Sequence, residues 1–297
     1  MIARLQRWIV CALGVAALVW TVLSLNSAHA AWTWAGLVLL GFGHAFVLAI
    51  EFGWMHAVNA GDPAPRATLR QVLVAWLGEC RHAPLVFGWR QPFRAQAWPD
   101  VTPGTPGRRG VVLVHGFVCN RGIWNRWLAR LQAQGTPVIA ITMEPPFGRI
   151  EGYAPAIEAA VAALERGSGM APVVVAHSMG GLALRYWWNR AGNGDRIHHA
   201  ITLGTPHHGT RLAALALSAN GRQMREHGPW LAALGQAEPA DRGAHMSCFY
   251  SHCDNIVFPA SSATLPGADN RHLPATAHVA MVDHPEPWSE LQRRLRN

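Results

Sequence analysis

One serine in this sequence lies where a strand-like run meets a pair of glycines. The stretch VVVAHSMGG begins with apolar residues. Its serine, Ser178, follows Ala176 and His177 and precedes Met179 and Gly180. A sharp strand-to-helix turn exposes such a serine as a nucleophile, and small residues are needed two positions before and after it. Ala176 and Gly180 meet that need. The stretch therefore indicates a nucleophilic serine, although a serine that merely caps a helix fits the same pattern.

A nucleophilic serine needs a histidine as its base and an acid that orients the histidine. On a sheet of alternating strands and helices these groups follow in the order serine, acid, histidine. Asp254 follows the strand-like MSCFY, and His278 lies in a loop before another apolar stretch. We expect these two residues to complete a triad with Ser178. The alternatives are the acids Asp241, Asp269 and Asp283 and the histidines His272 and His284.

The same chemistry requires two N–H groups for the oxyanion that forms on the substrate. One is expected from Met179, at the start of the helix after the serine. The other is expected from Phe117, because His115-Gly116-Phe117 follows the strand-like VVLV and Gly116 lets the backbone turn toward the site. A plain turn between a strand and a helix would also explain this loop. His177, beside the serine, is expected to serve packing.

From residue 110 onward, strand-like and helical patterns alternate. The apolar runs GVVLV, PVIAITM, VVVAHS, HAITLG and MSCFY are separated by segments with helical spacing. This alternation predicts an α/β fold with a mostly parallel sheet and helices on both faces, over a catalytic domain at 110–297. Short amphipathic pieces at 210–244 are expected to form either a lid or a helix and part of a pocket wall.

The N-terminal region has the pattern of a membrane hairpin, assigned to residues 1–55. Residues 8–25 and 31–50 carry no charge, and each run can cross a bilayer. Arginines before the first run and after the second predict that both ends lie in the cytoplasm, which makes this a multi-pass protein of the inner membrane. The alternative is a signal peptide cleaved after Ala28-His29-Ala30, with an exported or periplasmic domain.

Residues 56–109 are predicted to be an amphipathic linker with the first strands of the sheet. Within it, Leu69, Leu73, Trp76 and Leu77 share one helical face flanked by arginines. This helix is expected either on the bilayer surface or packed on the domain. The turn-rich PGTPGRRG separates the linker from the catalytic domain.

Composition excludes several other classes of function. The 297 residues carry a net charge of +8, but Lys and Arg form no block, so a nucleic-acid partner is not expected and an anionic membrane surface is. Five cysteines without a CxxC spacing indicate neither a disulfide framework nor a zinc site. Adjacent histidines on a strand point to opposite faces and cannot easily share one ion. No metal is therefore expected at the pairs His198-His199 and His207-His208.

The segments VVLVHGF, VVVAHSMGGLALR, ITLGTPHHGT, YSHCDNIVFP and TAHVAM together resemble the α/β-hydrolase superfamily, in particular bacterial lipases and esterases. The resemblance implies the α/β-hydrolase fold, Ser178 as nucleophile, His278 as base, Asp254 as its orienting acid, and no cofactor. It also implies an ester or lipid acyl substrate. A thioesterase, an amidase or an acyltransferase on the same fold, or an inactive membrane scaffold, are the alternatives.

Overall fold

A six-stranded parallel sheet organises the chain from residue 111 onward. A computed structural model describes residues 1–25, 30–102, 107–192 and 196–296. The strands are β1 Val111–Val114, β2 Val138–Ala140, β3 Val173–His177, β4 His199–Leu203, β5 Met246–Tyr250 and β6 Asp269–His272, in the order β2-β1-β3-β4-β5-β6. All five neighbouring pairs are parallel, so the carboxyl ends of the strands form one edge.

Helices cover both faces of this sheet, as predicted. Val112 and Val174 pack on one face with α6 (Ala154–Ser168) and α7 (Met179–Arg190). Val111 and Val173 pack on the other with α5 (Asn125–Ala133) and α10 (Pro285–Arg296). Because both faces are covered, the central strands are continuous apolar runs and do not alternate. The chain has the α/β-hydrolase architecture that the sequence predicts.

Two long apolar helices precede the sheet. These are α1 (Ile2–Leu25) and α2 (Ala30–Val58), both longer than the predicted 8–25 and 31–50. They pack against each other, and each is long and apolar enough to cross a membrane. Residues 26–29, which include most of the predicted cleavage pattern, lie outside the described residues.

Between the long helices and the sheet, the structure differs from the prediction. Residues 69–94 form α3 (Leu69–Ala83), a π-helical segment (Pro84–Arg90) and α4 (Gln91–Arg94), where first strands were expected. The only β pairing in the described part of 56–109 is a bridge from Val101 to Val138. The prediction of strands was wrong for residues 69–94, because they are helical and pack against α1 and α2. Residues 103–106 of the turn-rich separator lie outside the described residues.

The predicted amphipathic helix is α3, which packs on other helices of the protein, and its expected position on a bilayer surface stays a prediction. A capping box of Thr68 and Gln71 begins it. Trp76 donates a hydrogen bond to the Ala45 carbonyl of α2 (2.9 Å). The leucines that share its apolar face remain exposed: Leu69, Leu73 and Leu77. The helix thus packs on α2 through one side and presents apolar side chains outward through another.

The segment 210–244 forms short pieces that pack near the carboxyl edge of the sheet. It contains a 3-10 turn (Arg211–Leu215), α8 (Ala219–Gln223) and α9 (Pro229–Ala237). Residues of the first two pieces line a cavity, which agrees with the expectation of a pocket wall.

Candidate active site

Ser178 occupies a strained turn at the carboxyl edge of the sheet. β3 ends at His177 and α7 begins at Met179, so a single residue makes the turn. The backbone of Ser178 has φ 55° and ψ −132°, a conformation that residues other than glycine rarely adopt. Its hydroxyl forms no capping hydrogen bond with α7. The helix-cap alternative therefore does not explain this serine, and backbone strain of this kind is concentrated at functional sites.

The glycines around Ser178 allow backbones to approach closely. A Cβ on Gly180 would lie 2.4 Å from the His115 carbonyl oxygen, and a Cβ on Gly116 would lie 2.7 Å from the Ser178 Cβ. Gly180 therefore has to be small for two reasons. The turn at Ser178 needs a small residue there, and the loop after β1 leaves no room for a side chain. Ala176 is fully buried in β3. Because Gly116 and Gly180 have no side chains, the loop that contains Phe117 can lie directly against the serine.

Asp254 and His278 form a buried pair. The Nδ1 of His278 lies 2.9 Å from Oδ2 of Asp254, and both side chains are almost fully buried. The other carboxylate oxygen accepts hydrogen bonds from the N–H groups of Ile256 (2.9 Å) and Val257 (2.8 Å). Because these bonds fix the carboxylate, it holds Nδ1–H of the imidazole and leaves Nε2 for chemistry.

The pKa of His278 is raised above its ordinary value of 6.5. Burial acts to lower this pKa, but the charge of Asp254 and its hydrogen bond outweigh the effect of burial. The neighbouring His177 lacks such a carboxylate, and burial lowers its pKa well below the ordinary value. His278 is therefore able to take a proton, while His177 stays neutral and packs against it, with ring centroids 4.6 Å apart.

Gly204, directly after β4, links the three predicted triad residues. The N–H of Ser178 donates to the carbonyl of the preceding Leu203 (2.8 Å). A Cβ on Gly204 would lie 2.8 Å from Oδ2 of Asp254 and 3.1 Å from Nδ1 of His278. The structure thus places Ser178, Asp254 and His278 around the end of β4, and their joint role as a triad stays a prediction.

The alternative acids and histidines have other partners or lie at the surface. Asp283 pairs with Arg90 and Arg126, both at 3.1 Å, and Asp269 pairs with Arg271. Asp241 is exposed. The ring of His272 packs against Tyr250 and His252, away from the pair described above. His284 precedes α10, and its Nδ1 accepts a hydrogen bond from the N–H of Glu286 (3.3 Å).

Two backbone amides are available for an oxyanion. Among the described residues, the N–H groups of Phe117 and Met179 have no hydrogen-bond acceptor. His115 fixes the first of these loops, because its Nδ1 bonds to the Gly116 carbonyl (2.8 Å) and its Nε2 accepts the Met143 N–H (2.9 Å). Burial lowers the pKa of His115 to about 4, so it is neutral and serves structure.

The predicted histidine pairs have partners of their own. His199 lies 2.9 Å from the Ser247 hydroxyl, and His207 lies near Thr202 and Cys248. Within the described ranges, no group of three potential ligands is arranged to hold a metal ion.

An apolar cavity opens beside Ser178. Its volume is about 240 Å³, and Ser178 and Phe117 form one wall. The remaining lining comes mostly from the 210–224 segment and from the loop after Asp254, and it is almost wholly apolar: Pro206, Thr210, Leu212, Ala213, Leu215, Ala216, Gly221, Met224, Ile256 and Val257. A pocket of this kind suits an acyl chain or another apolar group.

The N-terminal helices also reach the site, a contact that was not predicted from the sequence. Glu79 of α3 accepts hydrogen bonds from the backbone of Val279 and Ala280, directly after His278. Glu51 of α2 accepts a hydrogen bond from Asn255, next to Asp254. The signal available in the sequence was a lone acidic residue inside the apolar helix α2 and another inside the amphipathic helix α3.

The fold is that of the α/β-hydrolases, and solved structures of lipases share it. The mature form of Bacillus licheniformis lipase BlEst2 matches with a TM-score of 0.56 at 17% identity, over 66% of this chain and 95% of that one. Aspergillus fumigatus lipase B matches with a TM-score of 0.55 at 20% identity, over 63% of this chain and 53% of that one. No family model and no curated protein matches the sequence.

Proposed function

We propose that this protein is a membrane-anchored serine hydrolase that cleaves carboxylic esters with apolar acyl groups. The observation that carries the proposal is Ser178 in a strained turn beside an apolar cavity, at the edge where Asp254 orients His278. The solved structures with the same architecture include proteins described as lipases, which supports ester chemistry.

The proposed mechanism assigns one role to each group. His278 takes the proton of the Ser178 hydroxyl as the serine oxygen attacks the ester carbonyl, and Asp254 stabilises the imidazolium that forms. The N–H groups of Phe117 and Met179 bind the oxyanion, each contributing about 3 kcal/mol to the transition state. His278 then protonates the leaving alcohol, and water activated by the same histidine releases the acid.

The position of the long helices supports a membrane substrate. The first turns of α1 are buried on the domain through Ile2 and Gln6, and Gln6 bonds to the Val118 carbonyl in the loop of Phe117 (3.1 Å). From Trp8 onward α1 is largely exposed. The start of α1 therefore lies near the loop of Phe117, and the end of α2 lies near Asp254 through the hydrogen bond between Glu51 and Asn255, so a bilayer around the helices would lie next to the cavity.

Apolar side chains near the cavity are exposed in a way that fits this arrangement. Leu215 and Leu217 of the 210–224 segment are 70% and 85% exposed. Phe147 packs edge-on against Phe117 and is itself half exposed. We propose that this rim faces the lipid, and that the arginines at both ends of the hairpin place the domain on the cytoplasmic side of the inner membrane.

The test is hydrolysis of p-nitrophenyl esters of increasing chain length by detergent-purified protein, beside Ser178→Ala. We expect turnover by the wild type, no turnover by the folded variant, and fluorophosphonate labelling of the wild type alone. Labelling without ester turnover would move the proposal to a thioesterase, an amidase or an acyltransferase. Folded wild-type protein with neither labelling nor turnover would refute a serine hydrolase and favour a membrane scaffold.

A further inference from the structure

Two carboxylates from the N-terminal helices hold the backbone around the catalytic histidine. Glu79, which is 1% exposed on α3, accepts hydrogen bonds from the N–H groups of Val279 (3.0 Å) and Ala280 (3.3 Å). On the other side, Glu51 of α2 accepts from the side-chain amide of Asn255 (2.7 Å). The amide oxygen of Asn255 in turn accepts the N–H of His278 (3.3 Å).

We propose that Glu79 and Glu51 are positioning residues for His278, so that the N-terminal helices are part of the catalytic unit as well as an anchor. The inference rests on the proposed function, because it assigns His278 the role of base. Neither carboxylate touches the substrate in this scheme. Glu79 binds the backbone of the two residues after His278. Glu51 acts through Asn255, which accepts the N–H of His278.

Glu79 has no Lys or Arg partner, which separates it from the buried acids Glu290 and Glu238. Glu290 is surrounded by three arginines, and Glu238 pairs with Arg185. No Lys or Arg in the described part of the chain lies within ion-pair distance of Glu79. A buried carboxylate without a counter-ion is costly to a fold. Its two hydrogen bonds go to Ala280, the first residue of the short 3-10 turn Ala280–Asp283, and to Val279 directly before it, where no side chain of the turn provides a cap.

The charges around Glu79 support a role beyond packing. Burial raises the pKa of Glu79 to about 7. The titratable groups around Glu79 and His278 are Asp254 from the catalytic loops, Glu51 from α2, Cys80 next to Glu79 on α3, and His177, whose ring packs on that of His278. A negative charge at Glu79 favours the imidazolium of His278, which is the form created when Ser178 loses its proton.

The experiment measures ester hydrolysis against pH for full-length protein in detergent, with Glu79→Gln as the main variant. Gln keeps the shape of the side chain but removes the charge and presents an N–H₂ group to one of the two backbone donors. We expect kcat to fall about 10-fold to 100-fold with KM changed less than about twofold, because the base is displaced and the cavity is intact. The acid limb of the pH profile moves to lower pH, because His278 loses a neighbouring negative charge.

Two controls separate positioning from general stability. Trp76→Phe removes the hydrogen bond from α3 to α2 and leaves both carboxylates and their hydrogen-bond partners unchanged, and we expect kcat within about twofold of the wild type. Glu51→Gln retains an acceptor for Asn255 and keeps most of the activity, while Glu51→Leu loses about 10-fold.

The inference is overturned if Glu79→Gln has wild-type kcat and an unmoved acid limb. It is also overturned if the variant loses activity only in proportion to folded protein, or if Glu51→Leu equals Glu51→Gln. A wild type that shows no labelling and no turnover would fail earlier and would refute the proposed function instead.

Discussion

Replacing Gly204 with alanine tests the geometry of the site directly. Gly204 has φ +53°, and a Cβ there would lie 2.8 Å from Oδ2 of Asp254, whereas ordinary contact begins at 3.4 Å. Asp254 must therefore move by about 0.6 Å. Since a 1 Å misplacement in an active site can cost about 100-fold in rate, we expect kcat to fall roughly 10-fold in Gly204→Ala.

The matched control is Gly169→Ala at the end of α6. Gly169 also has a left-handed backbone, with φ +70°, but a Cβ there meets nothing within 4 Å. Both variants pay about 1 kcal/mol for the backbone conformation, which lowers the melting temperature by about 3 °C. Ester kinetics and thermal unfolding of both variants give the comparison. If Gly204→Ala loses no more kcat than Gly169→Ala, the packing of Asp254 and His278 on Gly204 does not matter for catalysis.

Three further predictions follow from the same site. Because the pKa of His278 is raised above 6.5, kcat/KM should fall with decreasing pH through a value above 6.5, and a fall that begins only below 6.5 would contradict this assignment. Met224→Trp should shift the optimum in an ester series to shorter chains while acetate turnover stays, and an unchanged optimum would place the acyl chain elsewhere. The pKa of Glu79 is about 7 in the folded protein and 4.5 in the unfolded chain. Between these values the folded protein holds a proton that the unfolded chain has lost, so the stability that this proton contributes falls as the pH rises from 4.5 through 7. Glu79→Gln should therefore gain up to about 3 kcal/mol over the wild type between pH 4.5 and pH 8, measured by thermal unfolding, and a constant difference would contradict the raised pKa.

The central strands and the triad candidates could be predicted because their signals are local. β1 and β3 are short runs of valine and leucine buried on both sides, and their composition alone indicates such strands. Ser178 lies in a turn whose need for small neighbours is visible within five residues. Asp254 and His278 were chosen among the acids and histidines by their order along the chain and by the strands before them. The structure places these two residues in contact with each other.

The contribution of the N-terminal helices could not be predicted because its contacts cross almost the whole chain. Glu79 and Val279 are separated by 200 positions, and Glu51 and Asn255 by 204. An acidic residue in an amphipathic helix reads as part of a solvated face until its distant partner is known. The same limit explains α3, where the sequence shows that the leucines share a face but not which side packs on α2.

These separations also set an order of events during synthesis. Residues 51–79 leave the ribosome long before the loops at 252–280 that they contact, and contacts this distant in sequence form late in folding. Two further contacts bind the same regions: Asn59 donates to the His252 carbonyl, and Asp62 accepts from Ser261. The histidine loop therefore docks onto a surface that has already been made. A chain that lacks these loops would have the serine turn without a positioned base, so we expect hydrolysis to begin only when residues 252–280 have folded against residues 51–79.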